Sequence, residues 1–309
     1  MIGSVLLTGV IYVLLQVAFI AAVSPGDLTS SKGWEKLNFA NDFGPLASIA
    51  SLIGLGWLAT VLYIDAIVSP ADTGLIYTTV TGRVSYAMGR NGNAPRALAK
   101  TTSRGVPLIS LIVTFVIGLI VFLPFPSWQQ LVGFVTSATV LSFGAGTLAL
   151  GALRRELPDH ERPFRVPFGH VIPFLAFYSS NLIVYWAGWD VNWKLFVTIA
   201  FGFVLLPIFL ATSKGDKPSM DWRSGASWTV PWLAVLALIS YLGSYPDKPT
   251  KGNLNVLGFG WGFVAILALS AVVYVVSFQV RLPRERVEEH VADIVAEAES
   301  EHADLEAAH

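Results

Sequence analysis

No cysteine occurs among the 309 residues, so there is no disulfide framework and thiol usage says nothing about a redox compartment. Charge is scarce: Asp, Glu, Lys and Arg make up 13% of the chain, against about 25% in a soluble domain. The formal net charge is −1, so neither sign dominates and no nucleic acid or other polyanionic partner is implied. The five histidines, His160, His170, His290, His302 and His309, all fall in segments read as loops or tail. A metal site built on them is not expected. A Walker-type phosphate loop, zinc-ligand spacing and a Gly-x-Ser-x-Gly elbow are missing as well. The expectation is no catalytic residue, no metal and no cofactor. The run Ile2–Val23 is uncharged and long enough to span a bilayer, but it has no basic segment ahead of it and no convincing cleavage site, so it does not read as a signal peptide. The chain reads as starting inside a helix, as a fragment would.

Apolar sequence is abundant. Hydrophobic residues make up 54% of the chain and the mean hydropathy is +0.61. The apolar runs lack the ten-residue alternation of outer-membrane strands. The fold class is therefore an all-α integral membrane protein. Eight spans are predicted, at about 1–23, 60–88, 107–124, 128–152, 171–188, 194–211, 228–244 and 257–279. The connections between them alternate in charge. Arg83, Arg90, Arg96, Lys100 and Arg104 lie on one side, as do Arg154, Arg155, Arg162 and Arg165, then Lys214, Lys217 and Arg223, and then Arg281, Arg284 and Arg286. The other side holds only Lys32, Lys36, Lys194, Lys248 and Lys251. That is 15 cations against 5, and the richer side should be cytoplasmic. Both termini then lie in the cytoplasm. In the span over 128–152, Ser137, Ser142, Gly144, Gly146 and Gly151 favour close helix packing over pore lining. After the last span, 281–309 reads as an acidic amphipathic tail, with Val287, Val291, Ile294, Val295 and Leu305 among many Glu and Asp.

The stretch Pro45–Arg90 organises the rest. A crossing takes about 20 residues, so this run is roughly twice too long, and part of it must bend or lie outside the bilayer. Counting back from Arg83 puts Asp72 near mid-membrane and Asp65 in the half away from Arg83. Asp65, Ser69 and Asp72 are four and then three residues apart, which makes one polar stripe on a helix. Thr73, Thr78, Thr79 and Thr81 follow, and Pro70 frees a backbone carbonyl by removing a donor. Carboxylates, hydroxyls and freed carbonyls facing a cavity suit a cation or proton pathway. Asp72, Ser69, Thr73 and Asp65 are its candidates. The same stripe, paired with polar groups on neighbouring helices, would instead hold a bundle together. Asp72-Thr73-Gly74 also matches the aspartic-protease tripeptide, but that chemistry needs two facing carboxylates sharing a proton. Here both lie on one helix and no second motif is present. The outer segment 24–59 is too long for a plain loop and reads as a linker, a short surface helix and a second short helix over Leu46–Gly56.

Two basic motifs go beyond hydropathy. Arg83-Val-Ser-Tyr-Ala-Met-Gly-Arg90-Asn-Gly92-Asn-Ala-Pro95, followed by Arg104-Gly-Val-Pro107, resembles the loop after the eighth helix of amino-acid permeases of the amino acid–polyamine–organocation superfamily. Arg162-Pro163-Phe-Arg165-Val-Pro167-Phe-Gly169 resembles that family's motif after the tenth helix, one hairpin further on. Ile64 to Tyr77 looks like the fourteen-helix subgroup that includes bacterial aspartate–proton symporters. The resemblance implies a chain that starts at the seventh helix. Residues 1–211 would then be a partial LeuT-like bundle with an extracellular lid at 32–56, and 212–280 would hold two additional spans. In this family the first and sixth helices, unwound mid-membrane, hold the substrate's carboxylate and amino groups, and nothing here matches them. In sodium-coupled relatives of the fold the eighth helix supplies hydroxyl and carbonyl ligands to a cation, a role the resemblance carries to Ser69, Asp72 and Thr73.

The implied function is amino-acid transport in the plasma or inner membrane, by proton-coupled symport and alternating access. The implied partners are an amino-acid substrate, a coupling proton or sodium ion, the lipid bilayer and a missing amino-terminal half. Two alternatives stay open: a non-transporting truncated fragment that needs a partner half, and an intramembrane aspartyl-type enzyme using Asp65 and Asp72.

Overall fold

Inside hydrocarbon every backbone N–H and C=O must bond within the chain, so long apolar runs become helices. The computed structural model describes residues 2–23, 26, 45–123, 128–162, 164–212, 224, 226–245, 252–289, 291–292 and 295–296. Among these residues the chain is helical and has no strand; one isolated bridge pairs Gly243 with Leu257. The helices are α1 (Ile2–Ala22), α2 (Pro45–Leu52), α3 (Gly56–Arg90), α4 (Leu108–Phe122), α5 (Trp128–Glu156), α6 (Val171–Trp186), α7 (Trp189–Thr212), α8 (Ala226–Leu242) and α9 (Phe259–Gln279). Five of them, α1, α3, α5, α7 and α9, are long and apolar enough to cross a membrane, and α4, α6 and α8 are shorter apolar helices. The proposed surface helix near Trp34 and the end of the tail fall outside the described residues.

The residues divide into two compact units. One holds 1–86 and 101–114. In it the break expected within Pro45–Arg90 falls between α2 and α3. Leu55 N–H bonds the Ala50 carbonyl at 2.8 Å, Gly54 N–H bonds Ser51 at 3.1 Å, and Gly54 sits at φ +83°. This is a left-handed C-terminal cap, a conformation that glycine adopts without a Cβ penalty. The α3 that follows has 35 residues, a length of about 52 Å at 1.5 Å per residue. It therefore extends well beyond a bilayer core of about 30 Å.

The other unit holds 87–100 and 115–309. Its core is drawn from α5 to α9: Phe177, Val184, Tyr185, Leu236 and Ile266 are completely enclosed. Two asparagines tie the helices through this core. Asn181 of α6 donates to Ser270 Oγ of α9 at 3.0 Å and accepts from Trp232 Nε1 of α8 at 2.9 Å. Asn192 of α7 donates to the Val184 carbonyl of α6 at 2.7 Å and to Ser240 Oγ of α8 at 2.8 Å. Bonds of this kind supply cohesion that apolar contacts cannot when the solvent is itself apolar. The small residues of α5 serve packing in part. A Cβ on Gly144 would touch Ser180 and Phe177 of α6, and one on Gly151 would collide with Phe278 of α9, whereas Gly146 faces open space and Ser142 is exposed.

Candidate functional site

Leucine, isoleucine and β-branched residues carry α3 through Asp65 and Asp72 as one uninterrupted helix, with Pro70 inside it. Pro70 has no N–H, so the Ala66 carbonyl loses its helical donor. Asp65, Ser69, Asp72 and Thr73 are all exposed. Among the described residues neither Asp65 nor Asp72 has a hydrogen bond or ion pair. The two carboxylates lie seven residues apart on one helix, about 10 Å along its axis, and are not brought together.

The threonine hydroxyls along this part of α3 all bond back to the helix. Thr73 donates to the Ser69 carbonyl at 2.8 Å, Thr78 to Gly74 at 2.7 Å, Thr79 to Leu75 at 3.0 Å and Thr81 to Tyr77 at 2.7 Å. Each proton is committed to the carbonyl four residues back, so each oxygen presents only lone pairs outward. At 3.6 residues per turn Thr79 shares the face of Asp65 and Asp72, Thr73 flanks it, and Thr78 and Thr81 lie on the opposite face. The shared face of carboxylates and acceptor-only hydroxyls attracts a cation or a proton.

At its far end α3 runs into the first basic motif. Asn93 N–H bonds the Met88 carbonyl at 2.9 Å, and Gly92 takes φ +73°. The Arg-Asn-Gly sequence is therefore a helix stop. The chain then makes a 3₁₀ turn at Arg96–Ala99, with Pro95 just ahead of it. Gly89, which the sequence did not single out, is the packing point of this turn: a Cβ there would lie 2.9 Å from the Ala99 nitrogen and 3.0 Å from Leu98 Cβ. Arg83 and Arg90 are exposed.

The second motif wraps the end of α5. Arg162 donates to the carbonyls of Leu157 at 2.6 Å, His160 at 3.2 Å and Leu153 at 3.3 Å. Leu153 lies in the last turn of α5 and already accepts the Leu157 N–H at 2.9 Å, while Leu157 and His160 belong to the turn that follows the helix, so Arg162 ties that turn to the helix end. Arg154 reaches the other way, to Gly169 O at 2.7 Å and Val166 O at 2.9 Å. Arg165 and Pro167 are exposed, and Pro163 lies outside the described residues. From the sequence alone Arg154 is only a charge at the end of a span. Its position in the last turn of an apolar helix, before a loop rich in proline, is the signal that marks it as a clasp.

The family model described as "Amino acid permease" matches residues 1–239. The glutamate/serine transporter AimA of Bacillus subtilis (strain 168) is 36% identical over 275 residues, which is 89% of this chain and 49% of that protein. The aspartate-proton symporter of the same organism is 34% identical over 244 residues, 78% of this chain and 46% of the relative. The branched-chain amino acid permease BcaP of Lactococcus lactis subsp. cremoris (strain MG1363) is 38% identical over 127 residues, 38% of this chain and 25% of that permease. No solved structure gives a significant match. The chain spans about half the length of the first two relatives. The family model covers α1 to α7, most of α8 and the two basic loops that end α3 and α5. On that ground this multi-pass membrane protein belongs to the amino acid permeases of the amino acid–polyamine–organocation superfamily.

Proposed function

We propose that this chain forms the carboxy-terminal part of an amino-acid symporter. In this reading Asp72, with Ser69, Thr73 and Asp65, lines the path of the coupling proton while the transporter alternates access across the plasma membrane. The observation that supports it is the exposure of Asp72 in the middle of a membrane helix with no bonding partner among the described residues. A carboxylate left against hydrocarbon is expensive and by default marks an ion or proton path. In the working transporter that face meets water or the polar groups of further helices. The amino terminus and the basic loops lie on the cytoplasmic side in this proposal, following the charge asymmetry of the connections.

The names of the relatives point to the cargo. One is a glutamate/serine transporter and the other an aspartate-proton symporter, so the substrate proposed here is an acidic amino acid or serine, carried with a proton. An aspartyl enzyme is not proposed, because carboxylates about 10 Å apart on one helix cannot share a proton.

The test is uptake of labelled glutamate, aspartate and serine into proteoliposomes under an imposed proton gradient. The comparison is this chain alone, this chain joined to the part of a relative that its match does not cover, and the joined form carrying Asp72→Asn. We expect gradient-driven accumulation only in the joined form, and a loss of at least about tenfold with Asp72→Asn while substrate exchange persists. Accumulation unchanged by Asp72→Asn would remove this residue from the path. Absence of uptake in every form, with the protein folded, would overturn the symporter reading.

A further inference from the structure

We infer that the basic-loop end of the second unit carries a binding site for the phosphate group of an anionic phospholipid. The site is a cavity of about 430 Å³ lined by Arg155, His170, Tyr274, Phe278, Gln279 and Arg281, with Val275 on its outer wall. Three helix ends meet there. Arg155 is in the last turn of α5, His170 is the N-cap of α6, and Tyr274 to Gln279 close α9.

The cavity is rigid on one side and charged on the other. Tyr274 donates to the His170 carbonyl at 3.2 Å. Its ring lies edge-on to Phe278 at 4.7 Å, and His170 lies edge-on to Phe278 at 5.3 Å. The carbonyl ends of α5 and α9 bring partial negative charge, which would disfavour an anion. Two guanidiniums offset it. Arg281 pairs with Glu156 and bonds the Phe278 carbonyl, while Arg154 holds the carbonyls of Val166 and Gly169. Arg155 is the residue left over. It is exposed on the cavity wall and, among the described residues, has neither a hydrogen bond nor an ion pair. A planar guanidinium with its fork of donors available matches a phosphate in two-point geometry.

The ligand is a lipid because of what adjoins the cavity. Val264, Leu267, Val272 and Val275 are exposed along α9, an apolar surface leading away from the cavity on which acyl chains can lie. Basic pockets between membrane helices near the interface bind anionic head groups in this way.

The experiment uses the purified full chain in a neutral detergent. It is titrated separately with phosphatidylglycerol, phosphatidylcholine and inorganic phosphate, and read by the unfolding midpoint and by native mass spectrometry. We expect phosphatidylglycerol to raise the midpoint and to remain bound at one molecule per chain, while phosphatidylcholine and inorganic phosphate do neither. Arg155→Gln should weaken the lipid effect about tenfold and leave the lipid-free midpoint at the wild-type value. Arg104→Gln, an exposed arginine of the other unit, should leave the lipid effect intact. Equal lipid response in Arg155→Gln and wild type overturns the site. So does an equal loss in Arg104→Gln, which means diffuse attraction to a basic surface, or a midpoint shift reproduced by inorganic phosphate, which means a free anion.

Discussion

The Arg162 guanidinium donates to the Leu157 carbonyl at 2.6 Å, and through its other nitrogen to His160 at 3.2 Å. It holds together the turn that follows α5 and links it to the Leu153 carbonyl in the helix's last turn at 3.3 Å. The motif's other described arginine, Arg165, is exposed and, among the described residues, has no bonded partner. The two should therefore respond differently to substitution. Arg162→Lys replaces a fork of five donors by a single ammonium that cannot serve several carbonyls, at a cost of about 1–2 kcal/mol in stability. Arg165→Ala should stay within about 0.5 kcal/mol. Unfolding midpoints of the two variants in detergent check this. Equal losses would mean that Arg162 does not fix the turn after α5.

Gly92 is tied to Met88 in a similar way, because the bond from Asn93 to the Met88 carbonyl exists only while Gly92 keeps its positive φ. Gly92→Ala should cost about 1 kcal/mol, and Gly92→Asn less, since asparagine tolerates the left-handed region. Limited proteolysis within 91–104 should speed up in the same order. A faster cut in Gly92→Asn than in Gly92→Ala would contradict the cap.

How legible this was depended on whether a residue acts alone or through a distant partner. Apolar runs are local, so helices such as α4 and α9 stand close to where hydropathy put them. The start of α7 shows the limit. Hydropathy starts that span at 194, because Asp190, Asn192 and Lys194 dilute its first turns, yet the helix begins at Trp189. Asn192 is completely buried, its amide nitrogen bonded to Val184 and Ser240. A polar residue whose partners lie 8 and 48 positions away cannot be told from a loop residue by composition. The stripe on α3 was legible from its spacing of four and three residues. That every threonine proton of that stretch turns inward was not, because it is set by rotamer choice.

The Asn181 bonds to Trp232 and Ser270 join three helices, and their contribution can be isolated. Asn181→Ala leaves a buried indole N–H and a buried hydroxyl without their partner and opens a cavity, for a loss of about 2–4 kcal/mol. Ser270→Ala alone removes one weak bond of about 0.6 kcal/mol, typical of polar pairs in membranes. A double-mutant cycle between the two should give a coupling near that smaller figure. The difference between coupling and single-mutant loss measures the unsatisfied Trp232 donor together with the cavity. Additive losses would show that Asn181 and Ser270 do not interact.

Tyr185 offers a prediction of the opposite sign. Its ring is completely buried, and its hydroxyl is one of the described buried atoms with no hydrogen-bond partner. The ring is wedged against two glycines: a Cβ on Gly262 would lie 2.4 Å from the hydroxyl and 2.7 Å from Cζ, and one on Gly243 would lie 2.8 Å from the hydroxyl. Tyr185→Phe deletes the orphan oxygen while keeping the ring, so stability should be unchanged or should rise by about 1 kcal/mol, the low end of what an unsatisfied buried group costs. Gly262→Ala forces the ring out of a packed core and should cost about 1–3 kcal/mol, the usual range for overpacking. In the Tyr185→Phe background that loss should shrink without vanishing, because the Cζ clash remains after the oxygen is gone. Unfolding midpoints of the four proteins in one detergent decide it. A loss above about 1 kcal/mol for Tyr185→Phe alone would mean that the hydroxyl has a partner in the membrane-embedded protein, and a water or lipid contact at Tyr185 would then be the next thing to locate.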